Sequence, residues 1–123
     1  MRLTFIELPT FTARWWKEKL GDEKLQEIQS VLLDRPEAGD SMPRTGGLRK
    51  IRLAPPKGAG KGKRFGYRVI YALIPEASTV YFFAVYGKWD KDDLTAAEET
   101  HYRDVLSALK KYHRRLAGES ERS

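Results

Sequence analysis

The sequence predicts an α+β fold, a mostly antiparallel sheet with an N-terminal helical hairpin and a C-terminal helix, in the order β-α-α-β-β-β-α. Three observations predict it. Two amphipathic stretches of helical period stand close together near the N-terminus. Three apolar, strand-like runs follow one another in the middle. A helical stretch with a capping signal closes the chain.

The first run, Arg2 to Leu8, alternates enough for a strand. Phe11, Trp15 and Leu20 then recur at roughly helical spacing. Gly21 followed by Asp22 reads as the end of one helix and the N-cap of the next. Leu25, Ile28, Val31 and Leu32 form one side of that second helix, and Pro36 stops it. The stretch "RPEAGDSMPRTGG" is a loop by composition. Strands follow at Leu48 to Ala54, Phe65 to Ile74 and Ser78 to Lys88, and the short Pro75-Glu76-Ala77 connection makes the last two a hairpin. Thr95 and Glu98 form a capping box for a final helix with Tyr102, Val105, Leu106, Leu109 and Leu116 on one face. With 123 residues this is one domain, 1–117, and a frayed tail, 118–123. Helices are expected to cover one face of the sheet and leave the other partly open.

Composition narrows the function. The chain has no Cys, so it has no disulfide framework, thiolate nucleophile or zinc–thiolate cluster. Its two histidines lie twelve residues apart on the last helix and face different ways, which makes a metal site or a paired-histidine nuclease a poor fit. No metal or other cofactor is expected. The N-terminus carries no long apolar signal and no run reaches the roughly 20 residues of a membrane span. A soluble cytoplasmic protein is expected.

The net charge of +6 is concentrated. Between Ser41 and Pro75 there is no Asp or Glu, and nine Lys and Arg: Arg44, Arg49, Lys50, Arg52, Lys57, Lys61, Lys63, Arg64 and Arg68. The rest of the chain is net negative, so this window carries the whole positive excess. Such a field fits a polyanion partner. The glycine-lysine loop within it, "KGAGKGKRFGYR", is not a nucleotide cradle. Arg64 stands where a Walker loop needs Ser or Thr, and a strand follows where a helix is required. It reads as a mobile arm for a nucleic-acid backbone. Period-two alternation places Lys50 and Arg52 on one face of their strand and Ile51 and Leu53 on the other. With Arg68 on the next strand they form a cation cluster. Like-charge repulsion in such a cluster is a physical route to a lysine general base.

In register, "TGGLRKIRLA", the basic glycine loop, "GYRVIYALI", "VYFFAVYGK" and the following "DL" resemble the RelE superfamily of type II toxins, with the HigB-type branch most similar. The resemblance runs from about Gly39 to Leu94. It implies a bacterial endoribonuclease that cleaves messenger RNA on the translating ribosome, in contact with ribosomal RNA. It also implies neutralisation by a cognate antitoxin with a helix-turn-helix domain. The implied catalytic residues are Lys50, Arg52 and Arg68, with Lys88 beside them. The family often has an arginine after the "GK" of the last strand, where this chain has Trp89. The family's stacking tyrosine is also missing; the matching position is near Thr95. Lys88, Tyr86, Lys91 and Trp89 are therefore the candidates for proton donor and base-stacking group. Arg44, Arg49, Lys57, Lys61, Lys63 and Arg64 are the expected RNA or ribosome contacts, with Tyr86, Trp89 and Lys91. The alternative is a non-catalytic RNA- or ribosome-binding module.

Overall fold

The two longest strands lack clean alternation, and that decides the architecture. "TVYFFAVYG" is buried at every position, and "YRVIYALI" at all but two. A strand apolar on both faces needs cover on both. The computed structural model describes residues 2–122 and supplies that cover. Its elements are β1 (Thr4–Glu7), α1 (Pro9–Lys17), α2 (Gly21–Asp34), β2 (Asp40–Ser41), β3 (Arg49–Leu53), β4 (Tyr67–Ile74), β5 (Thr79–Gly87) and α3 (Ala96–Arg122). The strands form one sheet in the order β1-β5-β4-β3-β2, antiparallel except for β1 against β5.

The helical hairpin α1–α2 packs on one face. Phe11, Trp15, Ile28 and Leu32 meet Tyr67, Val69, Tyr71 and Phe82 there. Phe11 stacks on Phe82 with ring centroids 5.0 Å apart, and the Trp15 indole N–H donates to the Gly21 carbonyl at 3.0 Å. The Tyr71 hydroxyl donates to the Pro36 carbonyl at 2.8 Å and accepts the Gly39 N–H at 2.9 Å. This close approach requires glycine, since a Cβ on Gly39 would lie 2.8 Å from the Tyr71 ring. Helix α3 packs on the opposite face through Leu106 and its neighbours, against Leu48, Ile70 and Phe83. The expectation of helices on one face only is therefore corrected. A register shift opposite Ile70 and Tyr71 turns both Phe83 and Ala84 toward α3.

The capping box forms as expected. The Thr95 N–H donates to Glu98 at 2.9 Å and the Glu98 N–H to the Thr95 hydroxyl at 3.1 Å. Three details differ from the sequence expectation, at Asp22, Val31 and Leu116. Asp22 lies in the first turn of α2 and makes no side-chain cap. Val31 flanks the buried Ile28 and Leu32 and is 42% exposed. Helix α3 runs through Gly118 to Arg122; Ser123 lies outside the described residues. Leu116 is exposed because α3 outruns the sheet, being roughly 40 Å long against about 30 Å for β5. His113, about one turn before Leu116, still reaches the sheet through a 2.7 Å hydrogen bond with the Tyr81 hydroxyl.

Candidate active site

Strand register builds the site. Ile51 and Leu53 pack on the hairpin side, so Lys50 and Arg52 point to the α3 side. Arg52 lies directly opposite Arg68, and Arg68 directly opposite Tyr86. The three form one row across three strands, with neighbouring Cβ atoms about 4.5–5.5 Å apart. Two arginines facing each other in a sheet repel. Arg52 escapes into solvent, and the Arg68 guanidinium turns back to donate to the carbonyls of Phe65 at 3.3 Å and Tyr67 at 3.2 Å.

Beyond α3's cover this row opens into a basin of about 700 Å³. Arg52, Arg68, Lys61, Arg64, Lys88 and Trp89 line it, with Asp92 as its one acid. Trp89 meets the Tyr67 ring edge-on at 4.9 Å, covers Gly87 and remains 37% exposed. It is at once an edge-of-core group and a wall of the basin.

The other candidates are placed less uniformly. The three loop lysines are placed apart from one another. Only Lys61 lines the basin. Lys57 sits with Glu23 and Glu27 of α2 on the hairpin side. Lys63 is 3.8 Å from Glu18 and lies over the Trp89 ring. The loop is tied down where the Lys88 N–H donates to the Gly66 carbonyl at 3.1 Å. Gly66 itself has φ +71 and lies against the Leu53 carbonyl, which leaves no space for a side chain. Arg49 donates to the carbonyls of Glu37 at 3.3 Å and Gly39 at 2.8 Å, away from the basin. Arg44 stands exposed on the neighbouring loop and lines a second cavity with Lys50, Asp40, Asp93 and Glu99. Lys91 is bound by the Glu98 carboxylate at 2.6 and 2.8 Å and lies over the Tyr86 ring. Tyr86 is buried; burial first, then the Asp93 charge, pushes its hydroxyl well above the usual tyrosine range.

The segment after β5 adds carboxylates that the sequence reading missed. Asp90 pairs with Arg14 at 3.3 Å and Asp92 with Lys88 at 3.7 Å. Asp93 pairs with Lys50 at 3.2 Å and accepts the Tyr86 hydroxyl at 3.4 Å and the Leu94 N–H at 2.8 Å. Partial burial raises the Asp93 pKa, but the Leu94 N–H and the Lys50 ammonium outweigh it and hold the carboxyl below the usual range. The expected all-cation cluster thus contains a counter-charge. The available signal was three aspartates between Asp90 and Asp93, just past the last strand.

No known family's sequence profile matches the chain. Three solved structures are similar to it. A double mutant of the E. coli toxin RelE in the free state superposes with a TM-score of 0.56 at 20% identity, over 86% of this chain and 98% of that one. The isolated E. coli RelE toxin gives 0.50 at 21%, over 88% and 99%. The intact E. coli RelBE toxin–antitoxin complex gives 0.50 at 23%, over 70% and 96%. The fold is that of the RelE toxin.

On this RelE fold the basin occupies the end of the sheet where β3, β4 and β5 finish at Leu53, Tyr67 and Gly87. Two arginines from facing strands line it with Lys88, an exposed indole stands at its rim, and Lys50 lies one pleat away on β3. Such a set is suited to a phosphodiester.

Proposed function

We propose that the chain is the toxin of a type II toxin–antitoxin system, of the HigB-type branch, and cleaves messenger RNA on the ribosome. The observation that carries this reading is the facing pair Arg52 and Arg68 in an open basin that Lys88 also lines, with Lys50 two positions from Arg52 on the same strand face. The RelE fold supports it, and the similarity to the RelBE complex supports an antitoxin as partner. A helix-turn-helix antitoxin is part of the proposal.

In this mechanism Lys50, in its neutral amine form and so released from its ion pair with Asp93, takes the proton of the 2′-OH of the nucleotide before the break. That 2′ oxygen attacks the adjacent phosphorus, and the P–O5′ bond breaks. Arg52 and Arg68 donate to the phosphoryl oxygens as their charge grows. The departing 5′ oxygen takes a proton from Lys88, leaving a 2′,3′-cyclic phosphate and a 5′-hydroxyl. Tyr86 and Lys91, sequestered by Asp93 and Glu98, do not compete for that role. Trp89 stacks on a base, an interaction typically worth about 1–3 kcal/mol.

One observation favours a non-catalytic RNA-binding module instead: both lysines rest in ion pairs, with Asp93 and Asp92. Purified protein added to mRNA-programmed ribosomes separates the readings. The toxin cuts within codons and leaves 5′-hydroxyl ends. It cuts free RNA poorly, because the ribosome supplies much of the positioning. Ribosome binding with intact mRNA supports the module.

A further inference from the structure

A second acid-free stretch lies outside the basin. From Val105 to Gly118 there is no Asp or Glu, while Lys110, Lys111, Arg114 and Arg115 fall within two helical turns. Lys110 and Arg114 are one turn apart, as are Lys111 and Arg115, so the two pairs lie side by side on α3. Like charges at this spacing destabilise a helix. The helix dipole does not account for them, because its influence fades within the last turn and α3 continues to Arg122. Among the described residues, none of the four is in an ion pair. Lys111, Arg114 and Arg115 are exposed, with the exposed Tyr112 between them.

The stretch is joined to the site already described. The Lys110 ammonium donates to the Gly46 carbonyl, on the loop that carries Arg44. Gly46 and Gly47 both have positive φ, and the Thr45 hydroxyl braces the turn by donating to Met42 at 2.7 Å and accepting the Leu48 N–H at 3.1 Å. Through this loop the stretch reaches the cavity that Arg44 and Lys50 share, which Asp40, Asp93 and Glu99 also line, while Asp104 and Lys110 line another.

We infer that the C-terminal half of α3 is a second contact for an RNA phosphate backbone, separate from the basin. The inference rests on the reading of this chain as an RNA-directed protein. Three exposed cations outside any ion pair, Lys111, Arg114 and Arg115, offer point charges on a stiff helix to a polyanion, and Tyr112 offers a ring to an unpaired base. This surface adds affinity and orientation and takes no part in the chemistry.

The test is the triple variant Lys111→Gln, Arg114→Gln, Arg115→Gln in the full chain. A fluorescent structured RNA hairpin is titrated by anisotropy between about 50 and about 200 mM salt. Losing three phosphate contacts lowers the magnitude of the salt slope by roughly two to three units, so the affinity ratio across that range shrinks by roughly 20- to 40-fold. Single-turnover cleavage on saturating programmed ribosomes stays at the wild-type rate. A folded triple variant with the wild-type salt slope overturns the inference. If Arg52→Gln still reduces binding in that assay, the parent reading survives. A wild-type chain that binds no RNA overturns both. A triple variant that keeps its RNA slope but loses an acidic protein partner also overturns the inference, and assigns the face to that protein. Should the triple variant melt early, Lys111→Gln alone reports the same effect at about one slope unit.

Discussion

Arg68→Ala isolates the chemistry from the fold. The guanidinium sits between Arg52 and Tyr86 in the row, held by the carbonyls of Phe65 and Tyr67. One of those hydrogen bonds is exposed and the other part-buried, so their loss costs about 1–2 kcal/mol in total. That is small against the roughly 5–15 kcal/mol of a typical domain, and it lowers Tm by several degrees. Removal of the facing arginine also relieves its repulsion with Arg52, which trims the cost further. The effect on cleavage is far larger. A pre-aimed donor to a developing phosphoryl charge is worth about 100- to 1000-fold in rate. Arg68→Lys recovers only part of this, since an ammonium keeps the charge but not the planar fork. Single-turnover cleavage on programmed ribosomes, beside a melting curve, reads both numbers. An Arg68→Ala protein that folds, binds ribosomes and cuts within about threefold of wild type, far short of the expected loss, would refute the role given to this row.

Lys61→Gln should lower the magnitude of the RNA salt slope by about 0.7–0.9 unit, whereas Lys57→Gln, placed beside Glu23 and Glu27, should leave it unchanged. Asp93→Asn keeps an acceptor for the Leu94 N–H but frees Lys50, so cleavage at saturation should fall by about 10- to 100-fold while RNA affinity at low salt rises. A rise in both would mark Asp93 as a brake on Lys50. Burial, then the hydrogen bond to Glu18, pushes the Tyr67 hydroxyl from 10.0 up to about 12. A neutral hydroxyl with a raised folded pKa contributes stability below pH 10.0 that is lost as the pH climbs to about 12, and Tyr67→Phe should remove that alkaline loss in a Tm–pH series.

Local signals made much of this molecule legible. Pro75 to Ala77 marks the β4–β5 turn, and Thr95 with Glu98 marks the start of α3, because each acts over a few residues. The shared face of Lys50 and Arg52 follows from period two alone. Side of the sheet was harder. The stripe from Tyr102 to Leu109 says that α3 is buried on one face but not against which surface, and only the unbroken apolar run of β5 hinted that both faces of the sheet need cover. Register across strands is non-local, so the facing of Arg52 and Arg68 could not be fixed from either strand by itself. Asp93 reaches Lys50 across 43 positions. The lysines of the glycine loop look equivalent in sequence, and they part company only because Glu18, Glu23 and Glu27 wait on the hairpin side.

The central claim is cleavage of messenger RNA by the Arg52–Arg68 row, and mapping transcript 5′ ends after brief induction in growing cells tests it most directly. The account predicts new 5′ ends inside codons of translated messages with the wild-type chain, and none with Arg68→Ala at equal protein level. Growth arrest with intact transcripts would contradict it.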